Sequence, residues 1–383
     1  MPKIFALFLY FVFQCAITVT VTAQGVNFSG ISDSTVSLRA GAGDTPDFSY
    51  SVEQYVNLRM QARIRDRAVF FGALNLTAAA GDTAYAMQDL SGFFIGGKNY
   101  VAGIELERLF FRINGETASL DGGLLRIPFG YSHVWGSTDF LNPPNPLQPD
   151  ARPRGVLGGV ASWFPRDSLK LVAFGVALRD PLSPNGSGGL FGISADRHWS
   201  RASMQALYSF ESPQTDSERG IHRAGVSVKA DLEIELVLEA LYTYNHEKET
   251  GTEGLSLSFG ANYSFFGGDL IILAEYLYNG ATSSTALGYG GSFTNENYMY
   301  TGLSWRFSDF TNMSAALISG FDDISFTPVI SLNHEVFQGA TLTVSAQIPL
   351  DRDTFSNNGK HGELGPRTTR NHFNSAVRLR LRF

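Results

Sequence analysis

Apolar and polar side chains alternate with a period of two along most of the chain, which is typical of half-buried β-strands. The clearest run, residues 255–265, places Leu255, Leu257 and Phe259 on one face and Ser256 and Ser258 on the other. Residues 341–348 and the C-terminal residues 373–383 repeat this alternation, and helical spacing is nearly absent. The pattern therefore predicts an all-β protein.

Eighteen segments carry the alternating pattern, and the segment near residue 190 shows it most weakly. An even number of strands is what a single-chain bacterial membrane barrel requires, and sixteen is the alternative count. The segments start near residues 35, 48, 68, 100, 116, 156, 168, 190, 200, 220, 232, 253, 268, 296, 312, 324, 340 and 371.

The connections between these segments alternate between short and long. Outer-membrane barrels have short periplasmic turns and longer extracellular loops, so the alternation predicts a barrel with both chain termini in the periplasm. The short connections are residues 65–67, 114–115, 165–167, 196–198, 231, 267–268, 308–309 and 337–339. The notable long ones are residues 79–99, 128–155, 280–295 and 350–370.

Aromatic residues gather at the two ends of the predicted strands, as they do at the two interfaces of a membrane. One belt, at the predicted periplasmic ends, consists of Trp163, Phe164, Trp199, Phe265, Trp305 and Phe383. The other belt consists of Tyr208, Phe210, Tyr242, Tyr244, Tyr276, Tyr278 and Phe373. Strands in hydrocarbon must pair every backbone group, so the sheet is expected to close into a transmembrane antiparallel up-and-down barrel.

The first 23 residues have the features of a signal peptide, with Lys3, an apolar run and small residues before Gln24. The predicted domains are thus a signal peptide, residues 1–23, and a barrel, residues 24–383; an uncleaved N-terminal anchor is the alternative. The single cysteine, Cys15, lies in the first segment, so disulfides and thiolate sites are excluded from the mature chain. Beyond residue 23 no apolar run is long enough for a membrane helix.

The composition and the net charge of the chain are also consistent with an outer-membrane barrel. The chain contains 40 Gly and 30 Phe, and only 17% of its residues are charged, against a usual share of about 25%. The formal net charge is −7, and it becomes −8 when Lys3 is removed with the signal segment, so no nucleic-acid partner is expected.

The C-terminal residues 377–383, Val-Arg-Leu-Arg-Leu-Arg-Phe, together with the strand lengths and sorted loops, resemble porin-type outer-membrane proteins. Residues 126–130 and 139–143 are also similar to stretches of several porin-like families, but no motif identifies one of them. The resemblance implies that Phe383 is read by the barrel-assembly machinery. It also implies a homo-oligomer, with a trimer as the expectation.

Charged side chains on the polar face of the strands are candidates for the lining of a pore, because charged rings set pore selectivity. A turn centred on Asp231 would pair Lys229 with Glu233 and Arg223 with Glu239. The alternative to a selective lining is that these charges only solvate the wall of the barrel and neutralise one another. A parity slip before Leu109 indicates a β-bulge near Glu105 and Glu107. The predicted pore-lining set is Glu53, Arg59, Arg63, Glu105, Arg201, Arg223, Lys229, Glu235, Glu239, Glu275, Arg306, Arg378 and Arg380, and Glu107 and Arg382 share the inward parity.

The loop of residues 128–155 is the third on its side of the barrel, and in general porins that loop folds into the lumen. Its six prolines limit backbone freedom and favour one fixed shape. Two interpretations stay open, an inward constriction and an outward cap over the barrel mouth. If the loop folds inward, Tyr131, Trp135 and Phe140 are expected to pack on the wall, and the charged residues to present their charge to solutes. These charged residues are Asp139, Asp150, Arg152 and Arg154.

The sequence thus predicts a porin-like channel in the bacterial outer membrane for passive or weakly selective diffusion of small hydrophilic solutes or ions. Its partners would be outer-membrane lipid, those solutes and the assembly machinery. The seven histidines are scattered without metal-site spacing, so neither an enzyme nor a cofactor is expected. The alternatives are a plugged surface barrel that acts as an adhesin or structural protein, and an outer-membrane hydrolase with a Ser-His pair.

Overall fold

The computed structural model describes most of the chain after residue 24. The described residues are 25–41, 48–64, 67–81, 93–97, 99–147, 155–178, 188–213, 220–245, 254–280, 293–352, 354, 362–366 and 371–383. The predicted signal peptide therefore lies outside the described residues. Within them, no helix has the length and apolar character needed to cross a membrane.

Nineteen strands of the described residues form one antiparallel sheet in sequence order, and a short 3-10 turn lies at Phe266–Gly268. The first ten strands are β1 Val26–Gly41, β2 Phe48–Ile64, β3 Ala68–Gly81, β4 Phe93–Gly97, β5 Tyr100–Asn114, β6 Ala118–Leu125, β7 Val156–Arg166, β8 Leu169–Ala177, β9 Gly189–His198 and β10 Ala202–Glu211. The others are β11 Ile221–Asp231, β12 Glu235–Asn245, β13 Leu255–Phe265, β14 Leu270–Asn279, β15 Asn297–Ser308, β16 Thr311–Gly320, β17 Ser325–Phe337, β18 Ala340–Gln347 and β19 Asn371–Arg382.

The sheet closes on itself because β1 pairs with β19, in a register that sets Val36 opposite Val377. Phe383 extends this seam, since its backbone N–H and carbonyl both bond to Gly30, at 3.1 and 2.7 Å. Eighteen strands form the wall, and β4 adds only a short pairing to β5, which already pairs with β3. The prediction of a closed antiparallel barrel of eighteen strands is confirmed.

Three details differ from the sequence-based expectation. Strand β1 begins at Val26, well before residue 35, because Ser, Asp and Gly interrupt its alternation although it pairs fully with β2. The strand β4 lies inside the predicted loop 79–99. The connection 321–324 is as tight as the turns at the opposite end, so the sorting of loop lengths has an exception.

The predicted β-bulge near Leu109 is present. The register between β3 and β5 shifts between Ala73 and Leu74, and Glu107 is the extra residue on β5. As a result Leu106 and Leu109 both stay on the outer face, where they are exposed, and Glu107 turns inward and is buried. The bulge thus keeps the apolar rows on the outer surface on both sides of the interruption.

The two ends of the barrel differ in the length of their connections. The turn end carries the tight turn of residues 115–117 and the equivalent connections between β7 and β8, β11 and β12, and β17 and β18. The loop end carries the longer connections, including the one between β6 and β7. Both the start of β1 and Phe383 lie at the turn end.

Candidate channel constriction

Inward and outward faces are distinguished by exposure along each strand. On β12, Val237, Glu239 and Leu241 are buried, whereas Leu238 and Tyr242, on the alternate positions of the strand, are exposed apolar side chains. Exposed apolar rows of this kind are the surface that a membrane barrel presents to lipid, so the buried row faces the lumen. The same parity makes Gln205, Arg223 and Glu275 inward-facing on β10, β11 and β14.

The segment of residues 126–147, called the inner loop, follows β6 and lies inside the barrel. It contacts the inward-facing side chains of β10, β12 and β14, and these strands are called the covered wall. At its start the backbone N–H of Gly130 donates to Gln205 Oε1 at 2.7 Å, and Gln205 in turn donates to Asp196 at 2.6 Å. Of the two interpretations left open by the sequence, the inward one describes residues 126–147.

Glu239 on β12 is the first of two carboxylates that hold the inner loop. Its Oε1 accepts the backbone N–H groups of Tyr131 and Ser132 at 2.6 and 2.8 Å. Its Oε2 accepts the N–H of Thr138 at 3.1 Å and the hydroxyl of Thr138 at 3.2 Å. The side chain has no exposed surface. A buried carboxylate is costly unless hydrogen bonds replace its water, and here the loop backbone supplies them.

Glu275 on β14 is the second carboxylate, and only 1% of it is exposed. It accepts the backbone N–H groups of His133 and Val134, both at 3.2 Å, and of Trp135 at 2.7 Å. The hydroxyl of Ser132 donates to it as well. Successive N–H groups that converge on one anion form a nest, which is a strong anion-binding arrangement. The loop therefore binds the wall through its backbone.

Two apolar clusters fix the flanks of the inner loop. Phe129 stacks on Phe140 with ring centroids 5.3 Å apart and touches Phe174 of β8 at 5.1 Å. Trp135 is fully buried, and its ring centroid lies 5.6 Å from that of Phe293 and 5.4 Å from that of Tyr298. Burial of large aromatic side chains gives most of the apolar stabilisation of such a contact.

Gly130 is required at the place where the loop approaches Glu239. Its φ of +80° lies in the left-handed region, and a Cβ at this position would come within 2.2 Å of Glu239 Oε1 and 2.3 Å of Thr138 Oγ1. The two closest contacts of the loop with Glu239, through Tyr131 and Ser132, follow directly after this glycine. A side chain here would push the loop away from its carboxylate.

Asp139 was expected to present charge to solutes, but only 4% of it is exposed. Burial raises the pKa of Asp139 to about 7, although Arg126 at 3.8 Å and the N–H of Asn142 favour the charged form. Asp139 therefore faces the fold of the loop and not the lumen, because the turn of residues 136–142 closes around it. Asp150, Arg152 and Arg154 lie outside the described residues.

His133 is the most exposed charged or titratable side chain of the inner loop, with 40% of its surface accessible. Its Nε2 lies 2.5 Å from Glu235 Oε1, and Lys229 Nζ lies 2.6 Å from the other carboxylate oxygen. Tyr131 is half-buried nearby, and burial with the charges of Asp196 and Glu239 raises the pKa of Tyr131 to about 12. These side chains border the lumen at the tip of the loop.

The wall opposite the covered wall carries paired charges and is called the charged wall. It consists of β19, β1, β2, β3 and β5, and β2 lies nine strands from β12 in the eighteen-strand order. Arg380 binds Asp33 through two bonds of 2.7 Å each. Arg59 donates to Asn57 at 2.6 Å, and Glu105 accepts from Asn75 at 3.2 Å.

Glu53 and Arg378 face each other across Thr35 on this wall, and both are partly exposed. Arg63 lies near the turn end and is exposed. Further along the same side, Arg112 binds Asp121 with two bonds of 2.6 and 2.7 Å. The charges of this wall are therefore mostly matched between neighbouring strands.

Some predicted contacts of the lumen are wrong. The β11–β12 turn is centred on Glu233 and not on Asp231, since Asp231 pairs with Glu235. Lys229 therefore binds Glu235 instead of Glu233, and Arg223 binds Glu211 at 2.8 Å instead of Glu239. The exposed apolar residues Leu232 and Ile234 extend the turn, and alternation alone could not exclude them from the strands.

Other predicted lining residues occupy different places. Arg201 lies in the turn before β10 and is exposed there. Arg306 is exposed near the turn end and binds Asp269 at 2.5 Å. Arg223 is buried beneath the inner loop, with its guanidinium 5.1 Å from the ring of Phe140. Glu239 and Glu275 face inward as expected, but the loop covers them.

Several residues of the lumen were missed by sequence reasoning. Asp33, Asp121 and Asn57 lie on inward positions that the alternation assigns. They were missing from the predicted set because it contained only longer charged side chains. Gln205 and Ser227 were missed because an amide or hydroxyl on a polar face carries no special signal. Their role comes from the loop, which bonds to both through Gly130 and Thr138.

Comparison with known proteins gives information on the fold. No family model matches the chain, and no curated protein matches it. The crystal structure of Acinetobacter baumannii OccAB4 matches with a TM-score of 0.60 at 11% identity, over 94% of this chain and 98% of that chain. Acinetobacter baumannii OccAB1 matches with a TM-score of 0.57 at 12% identity, over 96% and 99%.

Pseudomonas aeruginosa OpdQ also matches, with a TM-score of 0.57 at 11% identity over 94% of this chain and 97% of that chain. Identities this low concern the fold alone. The closed eighteen-strand barrel is the fold of the bacterial outer-membrane porins.

Proposed function

We propose that the protein is a channel in the bacterial outer membrane for passive or weakly selective diffusion of small hydrophilic solutes or ions. The observation that carries the proposal is the inner loop, which is held inside the lumen on Glu239 and Glu275 opposite a wall of paired charges. A barrel of this strand number is wide enough for an aqueous channel, and a loop fixed along one wall would narrow that channel.

In this proposal the turn end and both termini face the periplasm, and the loop end faces the outside, because outer-membrane barrels keep their short turns in the periplasm. Residues 1–23 serve as the signal peptide, and Phe383 serves as the assembly signal. The homo-oligomer remains part of the proposal. The proposal includes no enzymatic role.

The proposed solute path lies between the inner loop and the charged wall. His133, Glu235 and Lys229 border it on one side, and Glu53, Arg59, Arg378 and Arg380 border it on the other. Because acids and bases occur on both sides, the expected selectivity is weak.

Single-channel recording of refolded protein in a planar bilayer tests the proposal. Residues 24–383 should give stable, discrete openings, and the reversal potential in a salt gradient should show less than ideal selectivity for either ion. Silence from protein that is folded, as shown by heat-modifiable gel mobility, would contradict the channel. That result would favour the plugged surface barrel, whose loops bind external partners.

A further inference from the structure

Residue Glu363, in the last long loop, makes an unusually dense set of hydrogen bonds at the loop end. Its Oε1 accepts the backbone N–H of Thr294 at 2.9 Å, and its Oε2 accepts the hydroxyl of Thr294 at 3.0 Å. The same Oε2 accepts the N–H and the side-chain amide of Asn295, at 3.0 and 2.9 Å, and the hydroxyl of Tyr298 at 2.5 Å. One carboxylate thus joins the last loop to the segment that precedes β15.

The segment around Glu363 is itself fixed to the wall. The N–H of Glu363 donates to Asp323 at 2.5 Å, and the N–H of Leu364 donates to Ser325 Oγ at 3.1 Å. The hydroxyl of Thr327 donates back to the carbonyl of Leu364 at 3.2 Å. These bonds to β17 and the turn before it leave Glu363 little freedom to move away from Tyr298.

Tyr298 connects this network to the inner loop. Its ring has no exposed surface and contacts Trp135 at 5.4 Å, while Phe293 meets both rings edge-on. Leu364, one residue after Glu363, is 1% exposed in the same cluster. Trp135 is the residue whose N–H reaches Glu275 at 2.7 Å and whose indole N–H donates to the Glu275 carbonyl at 3.1 Å.

We propose that Glu363 is a positioning residue of the constriction, which holds the Tyr298 ring and thereby the Trp135 end of the inner loop against Glu275. The proposal rests on the proposed function and deepens it, because it makes the position of the constriction depend on an outer loop. A displacement of the last loop would then be transmitted to the lumen through three contacts, from Glu363 to Tyr298 to Trp135 to Glu275.

The physical basis is the buried hydroxyl of Tyr298. A buried hydroxyl needs a partner, and a charged acceptor gives a stronger hydrogen bond than a neutral one. Glutamine at position 363 has one acceptor oxygen and no charge. Either its neutral carbonyl takes the place of the carboxylate at the Tyr298 hydroxyl or its NH₂ group faces that hydroxyl, and in both cases the hydrogen bond to a charged acceptor is lost. The aromatic slot around Trp135 would then open more often, while the wall strands keep their backbone pairing.

Fluorescence of Trp135 tests the proposal without reference to conductance. In a background with W163F, W199F and W305F, Trp135 is the one tryptophan of the chain. Quenching by acrylamide is measured on folded protein in detergent for the background and for E363Q, Y298F and the double variant. The matched control is D322N, because Asp322 binds Glu296 and Asn297 of the same segment but has no hydrogen bond to Tyr298 among the described residues.

The expected result is a rise of about threefold or more in the quenching constant for E363Q, with a shift of emission to longer wavelength, because a hydrogen bond to a charged group is lost. Y298F should give a comparable rise, and the double variant no further one, since both changes break the same contact. D322N should leave quenching unchanged. Unchanged quenching in E363Q, or an equal rise in D322N, would overturn the proposal.

Conductance of the same variants separates this inference from the proposed function. If the parent protein conducts and E363Q changes neither quenching nor the size of the openings, the positioning role fails and the channel stands. If the folded parent gives no openings while E363Q still exposes Trp135, the channel fails and the link between the loops stands.

Discussion

The two walls of the lumen carry the same kinds of residue but use them differently. On the covered wall, Glu239 and Glu275 are buried and accept backbone N–H groups of the inner loop. On the charged wall, Glu53 and Arg378 are partly exposed, and Arg380 is matched by Asp33. An inward glutamate can therefore be either a structural anchor or a lining charge, and the segment that covers it decides which.

The largest effect is expected from breaking the anchor at Glu275. E275Q places its NH₂ group either against the N–H of Trp135 or against the N–H groups of His133 and Val134. The charge and at least one hydrogen bond are lost, so the free energy of unfolding should fall by about 2–4 kcal/mol and the loop should leave the wall. The thermal midpoint of the heat-modifiable gel shift measures stability, and the noise of single-channel recordings reports whether the loop has left the wall. The matched control E53Q, on the charged wall, should keep the midpoint; equal losses in both variants would erase the distinction between the walls.

A second large effect is expected at Gly130, which lies directly against Glu239. G130A adds a Cβ within 2.2 Å of the carboxylate at a φ of +80°, so we expect a loss of about 2–3 kcal/mol of folding free energy. Its control is G122A on β6, where a Cβ would have no atom within 4 Å. Urea denaturation monitored by tryptophan fluorescence should separate the two. Similar midpoints would mean that the loop does not need its close approach to Glu239.

The fold could be predicted because it depends on the periodicity of the sequence. The site could not be predicted, since it depends on the path of one loop. Alternation located eighteen strands, and the slip before Leu109 located the bulge at Glu107. The nests on Glu239 and Glu275 use backbone N–H groups, which every residue except proline carries, so side-chain identity gives no signal for them. Asp139 was misplaced for the same reason, since its burial comes from the path of the loop.

A moderate, pH-dependent effect is expected from Asp139. Its pKa is raised to about 7 in the fold from an ordinary value of 3.8, so the folded state binds the proton more tightly than the unfolded chain. The stabilisation by that proton is complete below about pH 4 and is lost as the pH rises toward 7 and above. D139N should remove this dependence in thermal midpoints measured from pH 5 to 8.

H133N serves as the control, because His133 lies on the same inner loop and contacts Glu235. If D139N keeps the full pH dependence of the parent protein and H133N abolishes it, the assignment to Asp139 is wrong.

The smallest effect is expected on the charged wall. R59Q removes a lining charge whose hydrogen-bond partner among the described residues is the neutral Asn57. The reversal potential in a salt gradient should therefore move toward cation preference, while stability changes by less than about 1 kcal/mol. R201Q is the control, because Arg201 lies in an exposed turn and should leave the reversal potential unchanged. An equal shift in both variants would mean that selectivity is not set inside the lumen.

The most direct test of the central claim, that the inner loop lines a water-filled path, is modification of a cysteine at its tip. Residues 24–383 contain no cysteine, and His133 is exposed at that tip, so H133C in this part of the chain gives one reactive thiol. Addition of a charged methanethiosulfonate to a conducting H133C channel should reduce its conductance in a single step. Unchanged conductance, with the modification confirmed by mass, would contradict the claim that solutes pass between the inner loop and the charged wall.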